Sequence, residues 1–215
     1  MDKDAIITRA IDYIRDFLKQ DASGHDWWHI HRVYVTSVKL AEEMDADLFV
    51  CSLAAIFHDR ADSKIVQCEQ EGLEFIRSWL MENGVNVQDI DHISEIISTM
   101  SFKGGNNPPM RTLEGEIVQD ADRLDALGAI GIARTFAYSG SKGRQIYEPA
   151  LKARENMSVD EYRSGNSSAI NHFYEKLLKL KPLFNTELAK ELAEDRHEFM
   201  EEFLSRFYDE WNGRK

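Results

Sequence analysis

The run LFVCSLAAIF at residues 48–57 is apolar nearly all the way round a helix, and it leads directly into His58-Asp59. A surface helix needs a polar face, so a segment without one belongs at the centre of a helical core. Asp45-Ala46-Asp47, just ahead of it, offers an N-cap for its exposed backbone N–H groups. The chain must therefore supply other helices to surround this one. It must also give a reason for two ionisable residues to end it.

The surround is readable as helical periodicity. In residues 4–19, Ile6, Ile7, Ala10, Ile11, Ile14, Phe17 and Leu18 recur at helical spacing. Residues 26–43 form a second helix with Val33, Leu40 and Ala41 on its inner side. Helical pattern returns at about 67–82, stops near Asn83-Gly84, and resumes at 87–99, 113–137, 167–181 and 186–211. Asn185 or Thr186 caps the last of these, and Asn212-Gly213 ends it. SFKGGNNPPM (101–110) is a loop by composition, and the stretch from Tyr138 to Gly165 is mixed and polar. Strand alternation is nearly absent, and only four prolines and twelve glycines occur in 215 residues, which argues against a loop-rich β-sandwich. These patterns predict an all-α fold in one compact helical bundle over residues 1–215. Its core covers about 20–137, and C-terminal helices over about 167–211 pack on it.

Ionisable residues stand on the apolar faces of these helices. His29 shares a face with Val33 and Leu40, and Asp122, in EIVQDADRLDALGAIG, shares one with Val118 and Ala129. An ionised carboxylate facing a core without a partner costs several kcal/mol or more, so such an aspartate needs a compensating cation. Neighbouring helix residues point about 100° apart. His58 and Asp59 can therefore reach one ion only at a helix end, which is where they lie. Taken one at a time these residues have ordinary readings: a satisfied core histidine, a chance dipeptide, an aspartate paired with Arg123 or Arg134. Together they form a mixed nitrogen and oxygen set suited to a divalent ion. The two cysteines, Cys51 and Cys68, form no CxxC and read as reduced, partly buried thiols, so a structural zinc site is not expected.

The order His … His-Asp … Asp on a helical core resembles the signature of the HD-domain metal-dependent phosphohydrolases. HDWWHIHRV (25–33) is similar to the first motif of that family, AAIFHDRADSK (54–64) to the His-Asp motif, and QDADRLDALGAIGIAR (119–134) to the last. SFKGG (101–105), FAYSGSKGR (136–144) and the segment 172–204 resemble one bacterial subgroup of small stand-alone members, some of which look like nucleoside triphosphate pyrophosphohydrolases. The resemblance implies metal ligation by His29, His58, Asp59 and Asp122. It implies one divalent ion, with Mn2+ or Mg2+ the best match and Fe2+, Ni2+, Co2+ or Zn2+ as alternatives. Two-metal relatives carry further histidines between the His-Asp pair and the last Asp, whereas here His92 is the only one. The implied activity is hydrolysis of a nucleoside phosphate by a metal-activated water, as a pyrophosphohydrolase or nucleotidase. The alternatives are a phosphodiesterase, a metabolite phosphatase, or a non-catalytic nucleotide-binding signalling module.

A net charge of −12 gives the chain no bulk attraction for nucleic acid or an anionic membrane, so a phosphorylated substrate needs local cations. Lys103, in its glycine-rich loop, is the first candidate; Arg32, Lys64, Arg134, Lys142 and Arg144 also lie in or beside the motif phrases. Asp62, His25 and Asp125 are placed near the ligands in sequence, as candidate acid–base groups. Their ordinary readings are a helix cap, a surface histidine and a salt bridge. Trp27 and Trp28 read as helix anchors before base-stacking platforms. No stretch reaches the length of a membrane span, and Met1-Asp2-Lys3-Asp4 lacks the character of a signal peptide. The expectation is a cytoplasmic monomer or homodimer.

Overall fold

The computed structural model describes residues 2–19, 26–61, 68–100, 109–154 and 167–215. Among them there are nine α-helices and no strand. The chain forms two compact units, Met1–Asp122 and Arg123–Lys215.

In the first unit, α1 (Lys3–Phe17), α2 (Trp27–Glu43) and α3 (Leu48–Phe57) each begin on an aspartate. The side chains of Asp2, Asp26 and Asp47 accept the otherwise orphaned N–H groups of the first turns and place a negative charge at the positive helix end. α3 runs through the middle. Every residue from Phe49 to Phe57 is buried, and α1, α2 and α5 (Val87–Thr99) pack around it. Each fully buried Leu, Ile or Phe there contributes about 1.5–3 kcal/mol before entropy is counted. α3 passes into a single 3₁₀ turn, His58–Ala61.

α4 (Glu69–Glu82) lies directly against that turn. A Cβ on Gly72 would stand 2.7 Å from the Ala61 Cα and 2.9 Å from the Arg60 carbonyl oxygen, so only glycine permits the approach. α6 (Leu113–Asp125) buries Ile117, Val118, Ala121 and Leu124. Its last turn crosses from the first unit to the second.

The second unit holds α7 (Gly128–Ser141), α8 (Ala169–Glu175), two short 3₁₀ turns (Leu177–Lys179 and Lys181–Leu183) and the long α9 (Glu187–Trp211). Phe173 of α8 stacks on Phe203 of α9 with centroids 5.7 Å apart, and Phe136 of α7 packs edgewise on Phe203 at 5.9 Å. Thr186 caps α9 by accepting from the Ala189 N–H.

Two expected helices are shorter than the sequence suggests. The predicted helix 113–137 is interrupted after Asp125, and α7 starts afresh at Gly128, whose φ of +65° favours glycine. Ala129 consequently belongs to a different helix from Asp122 and is exposed. The predicted helix 167–181 stays α-helical only to Glu175 and continues as 3₁₀ turns. Pro182 stands in the second of these turns, and a proline disfavours α-helical geometry in the residue before it.

Candidate metal centre

Three helical segments of the first unit bring four donor side chains together. His29 stands in the first turn of α2, where the Asp26 carboxylate accepts its backbone N–H at 3.0 Å and fixes the start of the helix. His58 and Asp59 occupy the 3₁₀ turn that ends α3. Asp122 comes from α6. The His29 and His58 Nε2 atoms are 3.2 Å apart. Asp59 reaches His29 Nε2 at 3.5 Å with one oxygen and His58 Nε2 at 3.3 Å with the other. One Asp122 oxygen lies 3.5 Å from His29 Nε2 and 3.8 Å from His58 Nε2.

These distances suit a shared cation. Bonds of about 2.1 Å to one ion place neighbouring donors roughly 3.0–3.4 Å apart at octahedral to tetrahedral angles. The tautomer of His58 agrees. Its Nδ1 lies 2.7 Å from the Ala55 carbonyl oxygen, which can only accept, so Nδ1 carries the proton and the Nε2 lone pair faces the other donors. The side chains of His29, His58 and Asp59 are 1%, 4% and 6% exposed, whereas that of Asp122 is 36% exposed. Two imidazoles and two carboxylates, three of them out of water, are a donor set that fits a divalent ion. Among the described residues, His29, His58 and Asp59 are the group whose donor atoms lie close enough to share an ion. Burial first, and then the nearby Glu114 and Asp47 charges, push the Cys51 thiol up to about 12, which keeps it in the neutral form.

The HD-domain family model matches residues 27–127, a span that contains all four donors. A protein from Bacillus subtilis, YpgQ, is 38% identical over 194 residues, covering 89% of this chain and 87% of its own. The chain belongs to the HD-domain superfamily of metal-dependent phosphohydrolases. A Lactobacillus plantarum crystal structure superposes on it with a TM-score of 0.86 at 41% identity, covering 97% of this chain and 98% of that one. An HD-superfamily hydrolase from Bacillus thuringiensis does so with a TM-score of 0.77 at 44% identity over 98% of both chains. The crystal structure of YpgQ in complex with ADP gives a TM-score of 0.79 at 35% identity, over 98% of this chain and 97% of that one.

The other residues singled out in the sequence stand in different settings. His25, Asp62, Lys64 and Lys103 lie outside the described residues. Arg32 is half-buried on α2, one turn beyond His29. Asp125 and Arg134 bind each other: the Asp125 Oδ2 accepts from Arg134 Nη1 at 2.7 Å, with Asp125 buried. Lys142 and Arg144 flank the Tyr138 ring at 5.6 and 5.8 Å from its centroid. Trp27 is buried with Arg15 over its ring at 5.0 Å, as a helix anchor should be, while Trp28 is exposed. His92 bonds to the Thr112 hydroxyl at 2.8 Å.

Two contributors to the HD site escaped the sequence reading: the Asp26 cap beneath His29 and the Ala55 carbonyl behind His58. Both act through geometry that residue type does not reveal.

Among the described residues, no helix is long and apolar enough to cross a membrane.

Proposed function

We propose that this enzyme hydrolyses nucleoside phosphates, with His29, His58, Asp59 and Asp122 holding one divalent ion and with release of pyrophosphate or phosphate. The convergence of His29, His58 and Asp59 on one point, with an Asp122 oxygen 3.5 Å from His29 Nε2 and 3.8 Å from His58 Nε2, carries the reading. The nucleotide half of it draws support from YpgQ, 35% identical across nearly the whole chain and crystallised with ADP.

When bound, a divalent ion polarises a phosphoryl oxygen and lowers the pKa of a coordinated water. The chain's own residues do the remaining work. The Ala55 carbonyl holds the His58 ring in the orientation and tautomer that present Nε2. The Asp59 and Asp122 carboxylates complete the donor set, and Asp122, the most exposed of the four, stands on the side that water and substrate can reach. Proton transfer falls to Asp62, His25 or Asp125. Lys103, Arg32, Lys64, Arg134, Lys142 and Arg144 are the candidates for neutralising substrate phosphates, which an overall charge of −12 makes necessary. Mn2+ or Mg2+ suits the mixed donor set, and availability selects between them.

The test is product analysis by chromatography after incubation of the Mn2+- or Mg2+-loaded protein with deoxynucleoside triphosphates, nucleoside monophosphates and cyclic nucleotides. Pyrophosphate plus a nucleoside monophosphate is the expected outcome. Asp59→Ala should lower turnover more than about a hundredfold with helical circular dichroism unchanged. Ring-opening of cyclic substrates alone would reassign the site to a phosphodiesterase, and no turnover on the whole panel would overturn the catalytic reading.

A further inference from the structure

The 3₁₀ turn His58–Ala61 carries two of the four donors, and residues that donate nothing to an ion grip it from both sides. Phe57, immediately before His58, is fully buried, its ring centroid 5.0 Å from that of Trp79 on α4 and 6.3 Å from that of Tyr13 on α1. Arg60, immediately after Asp59, lays its guanidinium over two rings, at 4.5 Å from the Phe17 centroid and 4.3 Å from that of Phe75. Its Nε donates to the Tyr13 hydroxyl at 3.3 Å. Tyr13 and Phe75 stack on each other at 5.2 Å, so the residues on either side of His58-Asp59 are anchored in one aromatic cluster built from α1 and α4. The missing side chain of Gly72 then lets α4 close on the Ala61 Cα and the Arg60 carbonyl.

This arrangement does two things for the dyad. It fixes the backbone direction on both sides of two consecutive ligands, which on a regular helix would diverge by about 100°. It also ties down a cation that is one residue from Asp59. A guanidinium free to swing would compete with a metal ion for that carboxylate; cation–π attraction to two faces and a phenolic acceptor hold it elsewhere.

We propose that Arg60 and Gly72 are positioning residues for metal binding: the aromatic box around Arg60 and the glycine contact with α4 set the geometry in which His58 and Asp59 meet one ion. This inference rests on the assignment of His58 and Asp59 as ligands. It concerns side chains outside the four-residue motif, which any other cationic or apolar residue at position 60 would leave intact.

The test is calorimetric titration of the metal-free full-length protein with MnCl2, paired with its thermal melt without metal, for wild type, Arg60→Ala, Gly72→Ala and His58→Ala. Arg60→Ala should weaken Mn2+ binding about tenfold, the range seen when groups that orient ligands are removed, while the metal-free melt moves by only a few degrees. Gly72→Ala should weaken binding at least as much, and if that variant fails to fold, Arg60→Ala decides alone. A lower melt with unchanged Mn2+ affinity in Arg60→Ala would show that the cluster merely stabilises the fold, and would overturn the proposal. If His58→Ala binds Mn2+ as tightly as wild type, the ligand assignment itself fails and takes this inference with it.

Discussion

Glu175 is nearly inaccessible to water, and a carboxylate survives there only with donors around it. Arg154 gives its Nε at 2.9 Å and its backbone N–H at 3.1 Å to one oxygen and a second guanidinium nitrogen at 3.0 Å to the other, which also accepts from Ser167 at 2.9 Å. Burial alone would raise this carboxyl; the bonds from Arg154 and Ser167 outweigh it and hold the group below its ordinary 4.5. A depressed folded-state pKa contributes stability that is present above the unfolded value and disappears as pH falls through the folded one. Glu175→Gln should therefore cost about 2–4 kcal/mol near neutral pH, with the difference shrinking in acid below the ordinary carboxylate range. Urea titrations across a pH series measure it, and a penalty independent of pH would refute the account. Nothing in the sequence set Glu175 apart from Glu187 or Glu191, because its role depends on an arginine brought from another segment. The four candidate ligands were legible for the opposite reason: His29, His58, Asp59 and Asp122 stand out against the apolar residues of their own helices. Arg60 shows the limit of that logic. Its neighbours Phe17 and Phe75 come from two other helices, and an arginine after His-Asp looks like any surface cation until they are in place.

At the scale of elements, helix type and the placement of the helical segments followed from the apolar periodicity, and the buried centre at α3 followed from the lack of any polar face. The break between α6 and α7 did not, because DALGAIGIA continues both the helical spacing and the apolar character across it. Two glycines permit the break. A Cβ on Gly131 would lie 2.1 Å from the Ala126 carbonyl oxygen, and Gly128 takes a positive φ beneath the Arg196 side chain, whose guanidinium bonds the Leu124 carbonyl at 2.5 Å. That carbonyl lies in the last turn of α6 and also accepts the Leu127 N–H at 3.1 Å, and a cation there is favoured by both hydrogen bonding and the helix dipole. The two glycines therefore read as ordinary helix residues in the sequence and as a corner in the structure. Gly131→Ala should destabilise the fold by about 1–3 kcal/mol, the cost of inserting a methyl group against backbone that cannot move aside. Equilibrium urea unfolding monitored at the helical band tests it; a variant as stable as wild type would mean that the corner relaxes freely.

For the whole molecule the division between the two compact units falls between Asp122 and Arg123, inside the last turn of α6, with no linker. A hydrogen-bonded helix shared by both units cannot unravel on one side without freeing backbone groups on the other. We propose that the chain unfolds as a single cooperative domain, and that its proposed metal is part of that cooperativity, since the four donors come from segments far apart in the chain. An ion that binds only the folded state stabilises it by RT ln(1 + [L]/Kd), about 2.7 kcal/mol at a hundredfold excess over Kd. At this chain length that corresponds to a rise of roughly 5–10 °C in Tm. Differential scanning calorimetry should accordingly show one transition in the metal-free protein, and the same single transition displaced upward by Mn2+. The displacement should vanish in His58→Ala. Two separate transitions, with only one of them responding to Mn2+, would mean that the units fold independently and that the ion holds together residues 1–122 alone.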